Sequence, residues 1–200
     1  MKHNIFIFIF TSLLSISTCL NSNAQNYYEE GQTFGNDVFI PEAYIGLGLG
    51  INEIGLIGLA LEIPIIDKLS LMGTAGLGGW GYKLRAGLNF YPKTLAGNNG
   101  FGILYAHSTG LNDFDFTNQN TGNNYTFNLF SAHNIDFMYN RNVFVGEKSK
   151  FVLSAGYTLS LNPDAYEEVN GQSLDSNTQQ TLSILQPGGI LIGIKFLFGT

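Results

Sequence analysis

Hydrophobic alternation between Tyr44 and Phe198 is the feature that most restricts how this 200-residue chain folds. In successive runs of roughly ten residues, every second side chain is large and apolar, with Gly, Ser, Thr, Asn or a charge between them. From Phe151 to Leu161, the odd-numbered positions are Phe, Leu, Ala, Tyr, Leu and Leu, and the even-numbered ones are Val, Ser, Gly, Thr and Ser. Because successive side chains of a strand leave opposite faces, this period of two predicts β-strands.

Eight such runs predict the architecture. The predicted strands are Glu42–Ile51, Ile54–Ile63, Leu69–Leu77, Tyr82–Tyr91, Phe101–Leu111, Tyr125–Met138, Phe151–Leu161 and Gly189–Phe198. Each is close to the length that a tilted strand needs to cross a bilayer, and eight strands make the smallest usual membrane barrel. We therefore predict an all-β fold for residues 42–200, an eight-stranded antiparallel up-and-down transmembrane β-barrel. A transmembrane helical hairpin over Ala43–Ile66 is the competing structure, but it would expose Glu62 to lipid at a high cost.

The amino terminus predicts export. Residues 1–24 begin with Lys2, continue with an apolar stretch from Ile5 to Ile16 and end with the small residues Ser22 and Ala24. This order is typical of a signal peptide that is cleaved after Ala24. Residues 25–41 are polar and are predicted to be a periplasmic lead-in. Cys19, the single cysteine, lies within the signal, and lipid attachment there is the alternative. The chain has nine basic and fifteen acidic residues, so we expect no nucleic-acid partner.

The last predicted strand carries a continuous row of five apolar side chains: Ile190, Ile192, Ile194, Phe196 and Phe198. With this row and the repeated alternation, the chain resembles the small outer-membrane β-barrel proteins, the group of the OmpX-like and OmpA-transmembrane-like barrels. The resemblance implies a place in the outer membrane of a double-membrane bacterium. It also implies contact with outer-membrane lipid, and insertion by the barrel-assembly machinery, which recognises the aromatic end of the last strand.

The connections are predicted to divide between two ends. The inner turns lie near 64–68, 92–100 and 139–150, and the outer loops lie at 52–53, 78–81, 112–124 and 162–188. Short turns on one side and long loops on the other are typical of membrane barrels. Loops on a rigid scaffold often carry recognition, so the two long outer loops, 112–124 and 162–188, are a candidate contact surface for a ligand or a protein. Solvated, variable loop tips without a partner are the alternative.

Strand alternation also predicts the contents of the lumen. The predicted polar network consists of Glu62, Lys83, Arg85, His107, Asp136 and Lys195. A symmetric connection over 92–100 would place Arg85 opposite His107, and Glu62 is expected to pair with Lys195 near the inner end. Buried charges need partners, so we predict a lumen plugged by polar contacts rather than a water-filled, porin-like channel. Gly46, Gly48 and Gly50 share one face, which predicts either room for large neighbours or sharp curvature of the strand.

The preferred function is non-enzymatic: an integral membrane protein with a structural or surface-interaction role through its outer loops. The alternative is a hydrolase that modifies outer-leaflet lipid, because residues 105–111 resemble the His-x-Ser-Asn stretch of the lipid A deacylases. Its candidate catalytic residues are His107 with Thr109 or Ser108, and an acid from the following loop, for example Asp113 or Asp115, would complete the set. A third class, a soluble secreted β-sandwich or lipocalin-like carrier, fits the strands less well.

No cofactor or metal is expected from the sequence. No glycine loop precedes a helix, and His107 and His133 are not spaced as a ligand pair. Asp113 and Asp115 supply too few ligands for calcium. Strict alternation would turn His133 towards lipid, so we predict a bulge or a register break at that position.

Overall fold

The computed structural model describes residues 41–118, 122–146, 148–162, 165–170 and 173–200. The predicted signal peptide, Cys19 and the lead-in up to residue 40 lie outside these ranges. The strands are β1 (Tyr44–Ile51), β2 (Ile57–Ile66), β3 (Leu69–Gly78), β4 (Gly81–Phe90), β5 (Asn99–Ser108), β6 (Leu111–Thr117), β7 (Asn124–Leu129), β8 (Ala132–Val145), β9 (Ser149–Ser160), β10 (Tyr166–Glu168) and β11 (Gly189–Gly199), and the helix is α1 (Ser176–Leu185).

Eight strands close into an antiparallel barrel in the order β1-β2-β3-β4-β5-β8-β9-β11, with β11 pairing back onto β1. Each barrel strand pairs with the next one along the chain, so the topology is up-and-down. The closing ladder extends from the Tyr44–Gly199 pair to the Ile51–Ile192 pair, and closure leaves the barrel without a free edge. The predicted all-β, eight-stranded antiparallel barrel is confirmed, and the helical alternative over 43–66 is wrong because β1 and β2 occupy that segment.

The remaining strands and the helix form a second layer at one end. We call this layer the cap; it comprises the described residues within 109–131 and 161–188. β6, β7 and β10 form a three-stranded sheet in the order β10-β7-β6. Together with α1 and the β3–β4 connection they enclose an apolar cluster of Trp80, Tyr125, Phe127, Leu129, Ala132, Ala165 and Leu182. Among the described residues, no helix is long and apolar enough to cross a membrane.

The predicted continuous strand from Tyr125 to Met138 is wrong. The chain leaves the cap sheet at Leu129 and enters the barrel at Ala132 as a new strand, β8. Leu111, predicted as the end of the fifth barrel strand, instead begins β6 of the cap. Burial of Tyr125, Phe127 and Leu129 in the cap cluster holds this segment away from the barrel wall.

The opposite end of the barrel carries shorter connections: 67–68, 91–98 and 146–148. The long turn predicted over 139–150 is wrong, because β8 and β9 continue their pairing as far as Val145 and Ser149. The longest connections share the cap end, as predicted from the alternating direction of the strands.

The two faces of the barrel wall differ sharply in polarity. Large apolar side chains on the outside are exposed, for example Leu47 at 58 %, Leu59 at 59 % and Ile103 at 60 %. Inward-facing Lys83 and Arg85 are only 5 % and 4 % exposed. This arrangement is the reverse of a water-soluble β-barrel, in which the apolar face is the buried one.

Candidate functional site: the charged lumen and the cap-end rim

Arg85 on β4 is the centre of the upper lumen cluster, the polar group nearer the cap. Its Nε lies 2.6 Å from Oδ2 of Asp136 on β8, and Thr158 on β9 donates to the other oxygen of that carboxylate at 2.7 Å. The Arg85 Nη1 atom lies 3.4 Å from Oε1 of Glu53. The side chains of the three charged residues are fully buried, so these contacts substitute for water around the charges.

Glu53 enters the barrel from the β1–β2 connection, which was predicted to be an outer loop. Its carboxylate forms a buried ion pair with Lys195 on β11, and Lys195 also donates to Ser154 Oγ at 3.0 Å. The connection thereby closes the barrel from the cap end with its own side chains, and Glu53 bridges two cations. Sequence reasoning missed this residue because it lies outside every alternating run.

Inward-facing glycines provide the space for this connection. A Cβ atom on Gly50 would lie 3.1 Å from Glu53 Cβ, and one on Gly58 would lie 2.8 Å from Ile54 Cγ1. A Cβ on Gly193 would collide with the carboxylate of Glu53. The prediction that glycines on this face of β1 make room for large neighbours is confirmed, and this was the sequence signal that could have indicated an inserted connection.

A separate lower lumen cluster surrounds Glu62 on β2. Lys150 Nζ lies 2.8 Å from Glu62 Oε2, Ser70 donates to Oε1 at 2.7 Å, and the Tyr91 hydroxyl also donates to that oxygen. The Lys150 ammonium lies 4.1 Å from the centre of the Tyr44 ring, a cation–π contact.

The expected pairing of Glu62 with Lys195 is wrong. Glu62 lies opposite Tyr44 and Lys195 lies opposite Gly48, so four positions of β1 separate them. At about 3.3 Å per residue this is roughly 13 Å, too far for an ion pair. Lys150, predicted within a turn, takes the place of Lys195, because β9 begins at Ser149.

Apolar side chains fill the rest of the barrel interior, beside the charged residues. One layer contains Met72, Leu104, Met138 and Leu191, and another contains Tyr44, Ile54, Ala60, Val152 and Leu197. Lys83, near the cap end, donates to the Asn52 carbonyl at 2.5 Å. These side chains fill the interior and close it. The charged lining also differs from the apolar cavity of a carrier for lipophilic ligands.

His107 does not join the lumen residues. The ladder between β4 and β5 pairs Arg85 with Ala106 and Leu84 with His107, so the expected position opposite Arg85 is wrong by one residue. The 91–98 connection is therefore not symmetric in the way assumed, and the shift turns His107 outwards. Ser108 takes the inward position and is buried. Glu62, Arg85, Asp136 and Lys195 point into the barrel in the two clusters described above, and Lys83 points inward nearer the cap.

The hydrolase candidates are not assembled into a catalytic set. Within the described residues, His107 forms no hydrogen bond to a serine or threonine hydroxyl, and its Nδ1 atom is buried without a partner. Thr109 Oγ1 instead accepts from the Tyr82 backbone N–H at 3.1 Å and donates to the Gly110 carbonyl. Asp115, one candidate acid, accepts from Thr126 at 2.8 Å within the cap sheet.

His133 lies on the outer surface beside His107, and the predicted bulge there is wrong. The β5–β8 ladder continues without a break through the His107–His133 pair, so strict alternation holds. The Tyr105 hydroxyl lies 2.5 Å from Nδ1 of His133, and the two histidine rings are 4.8 Å apart between centroids.

The cap is fixed by polar contacts at the start of α1. Asp175 accepts from the Thr178 backbone N–H at 2.7 Å, from Asn118 at 2.8 Å and from the Tyr125 hydroxyl at 3.1 Å. The Thr178 N–H, which favours the charged carboxylate, lowers the pKa of Asp175 below its ordinary value. One side chain therefore caps the helix and joins it to the β6–β7 hairpin.

Comparison with known proteins adds no family to this description. No family model matches the sequence, and the search of curated proteins found no match.

Proposed function

We propose that this protein is an integral barrel of a bacterial outer membrane that holds the cap at the cell surface for contact with a ligand or a protein. The observation that carries the proposal is the apolar outer wall: each of the eight barrel strands carries large, exposed apolar side chains on its outer face. Contiguous apolar surface of this extent is unfavourable in water and fits the hydrocarbon layer of a bilayer.

The distribution of aromatic side chains supports the same placement. Tyr82 and Tyr105 lie on the outer wall towards the cap end, and Phe90, Phe101 and Phe198 lie on it towards the opposite end. Aromatic girdles of this type flank the apolar band of membrane barrels, where the rings sit at the level of the lipid headgroups.

The cap supports the surface-contact role. It has its own apolar cluster, so the two long connections present a folded surface rather than extended loops. Residues 109–131 and 161–188 contain Asp113, Asp115, Asp164, Glu167, Glu168 and Asp175 but no lysine, arginine or histidine. This charge favours a partner with a cationic surface.

A pair of single-cysteine variants tests the placement. In a chain with Cys19→Ser, Ser173→Cys lies on the exposed cap and Lys93→Cys lies on the exposed opposite end. In intact cells a membrane-impermeant maleimide should label Ser173→Cys and leave Lys93→Cys unlabelled until the cells are lysed. The unboiled protein should also migrate differently from the boiled protein on a denaturing gel.

Two results would contradict the proposal. Recovery of the protein in the soluble fraction of cells that were not treated with maleimide would contradict the proposed placement in the membrane. Labelling of Lys93→Cys but not Ser173→Cys in intact cells would place the cap on the inner side.

A further inference from the structure

Two histidines face each other on the outer wall of the barrel near the cap. His107 on β5 and His133 on β8 are direct cross-strand partners, and their ring centroids are 4.8 Å apart with 38° between the ring planes. Both side chains are partly exposed.

Neighbouring groups hold the His133 ring and its backbone in place. The Tyr105 hydroxyl lies 2.5 Å from His133 Nδ1, which leaves Nε2 of that imidazole for another ligand. The backbone N–H of His133 donates to Asn162 Oδ1 at 2.7 Å. A hydrogen bond to the second ring nitrogen is the usual way in which proteins orient a metal-binding histidine.

His107 has a polar atom that the fold does not satisfy. Its Nδ1 is buried and has no hydrogen-bond partner among the described residues. Buried polar atoms are normally paired, so this ring nitrogen, beside a second imidazole, is available to bind a ligand.

We propose that His107 and His133 bind a divalent transition-metal ion, such as Zn²⁺ or Cu²⁺, on the outer wall of the barrel. Imidazole nitrogens suit these ions. Two imidazoles bound to one ion at about 2.1 Å, with roughly 100° between them, place their ring centres about 5 Å apart. The observed 4.8 Å fits this arrangement, so binding requires adjustment of the rings and no change of the ladder.

The chemistry of the site follows from its two protein ligands. The described residues contain no group of three or more histidines, cysteines or acids that could hold a metal ion. The ion therefore keeps open positions for water or for an oxygen ligand from outside the chain, and it binds more weakly than a closed four-ligand zinc site.

The composition of the chain makes the test direct. The sequence has three histidines, at positions 3, 107 and 133, and one cysteine. A full-length chain with His3→Gln and Cys19→Ser, prepared without a histidine tag and folded in detergent, retains only the proposed ligands as imidazoles. Cu²⁺ added at one equivalent should give an electron paramagnetic resonance spectrum with hyperfine coupling to two imidazole nitrogens.

Zn²⁺ titration by calorimetry supplies the second measurement. His107→Gln and His133→Gln should each weaken Zn²⁺ binding at least tenfold, and Tyr105→Phe should weaken it by a smaller factor as a positioning residue. Asp115→Asn, which removes a cap carboxylate, is the matched control and should leave the affinity unchanged. Coupling to one nitrogen or to none would overturn the proposal, as would Zn²⁺ binding that depends on Asp115 and persists in the double histidine variant. The spectrum of the parent chain decides the question even if a histidine variant does not fold.

Discussion

The barrel and the cap bury opposite kinds of side chain. The barrel encloses Glu53, Arg85, Asp136 and Lys195 and exposes leucine, isoleucine and phenylalanine on its outside. The cap encloses an apolar cluster that includes Trp80, Phe127 and Leu182, and it exposes acids and amides. Within one chain, therefore, the polarity of inside and outside is inverted between two adjoining regions.

The two regions are therefore stabilised by different interactions. The cap follows the rule for proteins in water, in which burial of apolar surface drives folding. The barrel does not, and its charged interior is stable only because each carboxylate has a cation within reach. The change occurs near Ala132, where the chain passes from β7 to β8, and His107 and His133 lie at this boundary.

The largest expected effect is on the charged interior. Glu53→Gln should lower the free energy of unfolding by about 3–5 kcal/mol, because it leaves Lys195 as a buried cation without its carboxylate. Urea unfolding of the detergent-folded protein measures the change. Glu167→Gln, an exposed change on β10, is the control and should have little effect.

A double variant makes that experiment sharper. Glu53→Gln combined with Lys195→Met removes both charges and should recover much of the lost stability, since an apolar replacement of a buried pair is often neutral. If Glu53→Gln alone costs less than about 1 kcal/mol, the barrel interior does not depend on its ion pairs. The barrel and the cap would then differ in which side chains they bury, but not in how much their stability depends on buried charges.

A somewhat smaller effect is expected from a charge on the outer wall. On the proposed placement in lipid, Ile103→Arg at the middle of β5 should cost about 2–4 kcal/mol of folding free energy in phospholipid vesicles. The matched control is Val169→Arg, an exposed apolar residue of the cap at 49 %, close to the 60 % of Ile103. Equal tolerance of both substitutions would contradict the idea that the two regions face different solvents.

The sequence predicted the strands well because period two is a local property. The inward positions of Lys83 and Arg85 and the outward row of β11 follow from alternation alone once the barrel is assumed. Alternation does not say which face is the buried one, however. Tyr125, Phe127 and Leu129 have the same odd-numbered apolar pattern as Ile135 and Phe137, yet the first three pack inside the cap and the last two lie on the outer wall.

The errors at the site have long-range causes. The pairing of His107 with His133 requires residues 109–131 to leave the barrel as part of the cap and the chain to return in register, which no local pattern specifies. Glu53 reaches Lys195 over 142 positions of sequence through a non-repetitive connection. The Glu62–Lys150 pair depends on where the turn after β8 begins. The sequence does not specify that position, because the polar residues there can form either a turn or the end of a strand.

The smallest expected effect concerns the cap alone and depends on pH. The hydrogen bond from the Thr178 N–H lowers the pKa of Asp175 in the folded protein, so this carboxylate stabilises the cap fully above its unfolded pKa of about 3.9. That contribution is lost as the pH falls through the lower folded pKa, because protonation then removes the charge that the N–H favours.

Trp80 is the only tryptophan and lies in the cap cluster, so its fluorescence follows the cap and not the barrel. Asp175→Asn, which retains a good helix N-cap, should remove the acid-dependent part of the change in Trp80 fluorescence at equilibrium. An unchanged acid transition in this variant would show that another group controls the cap, whereas loss of the barrel at the same pH would show that the two regions unfold as one unit.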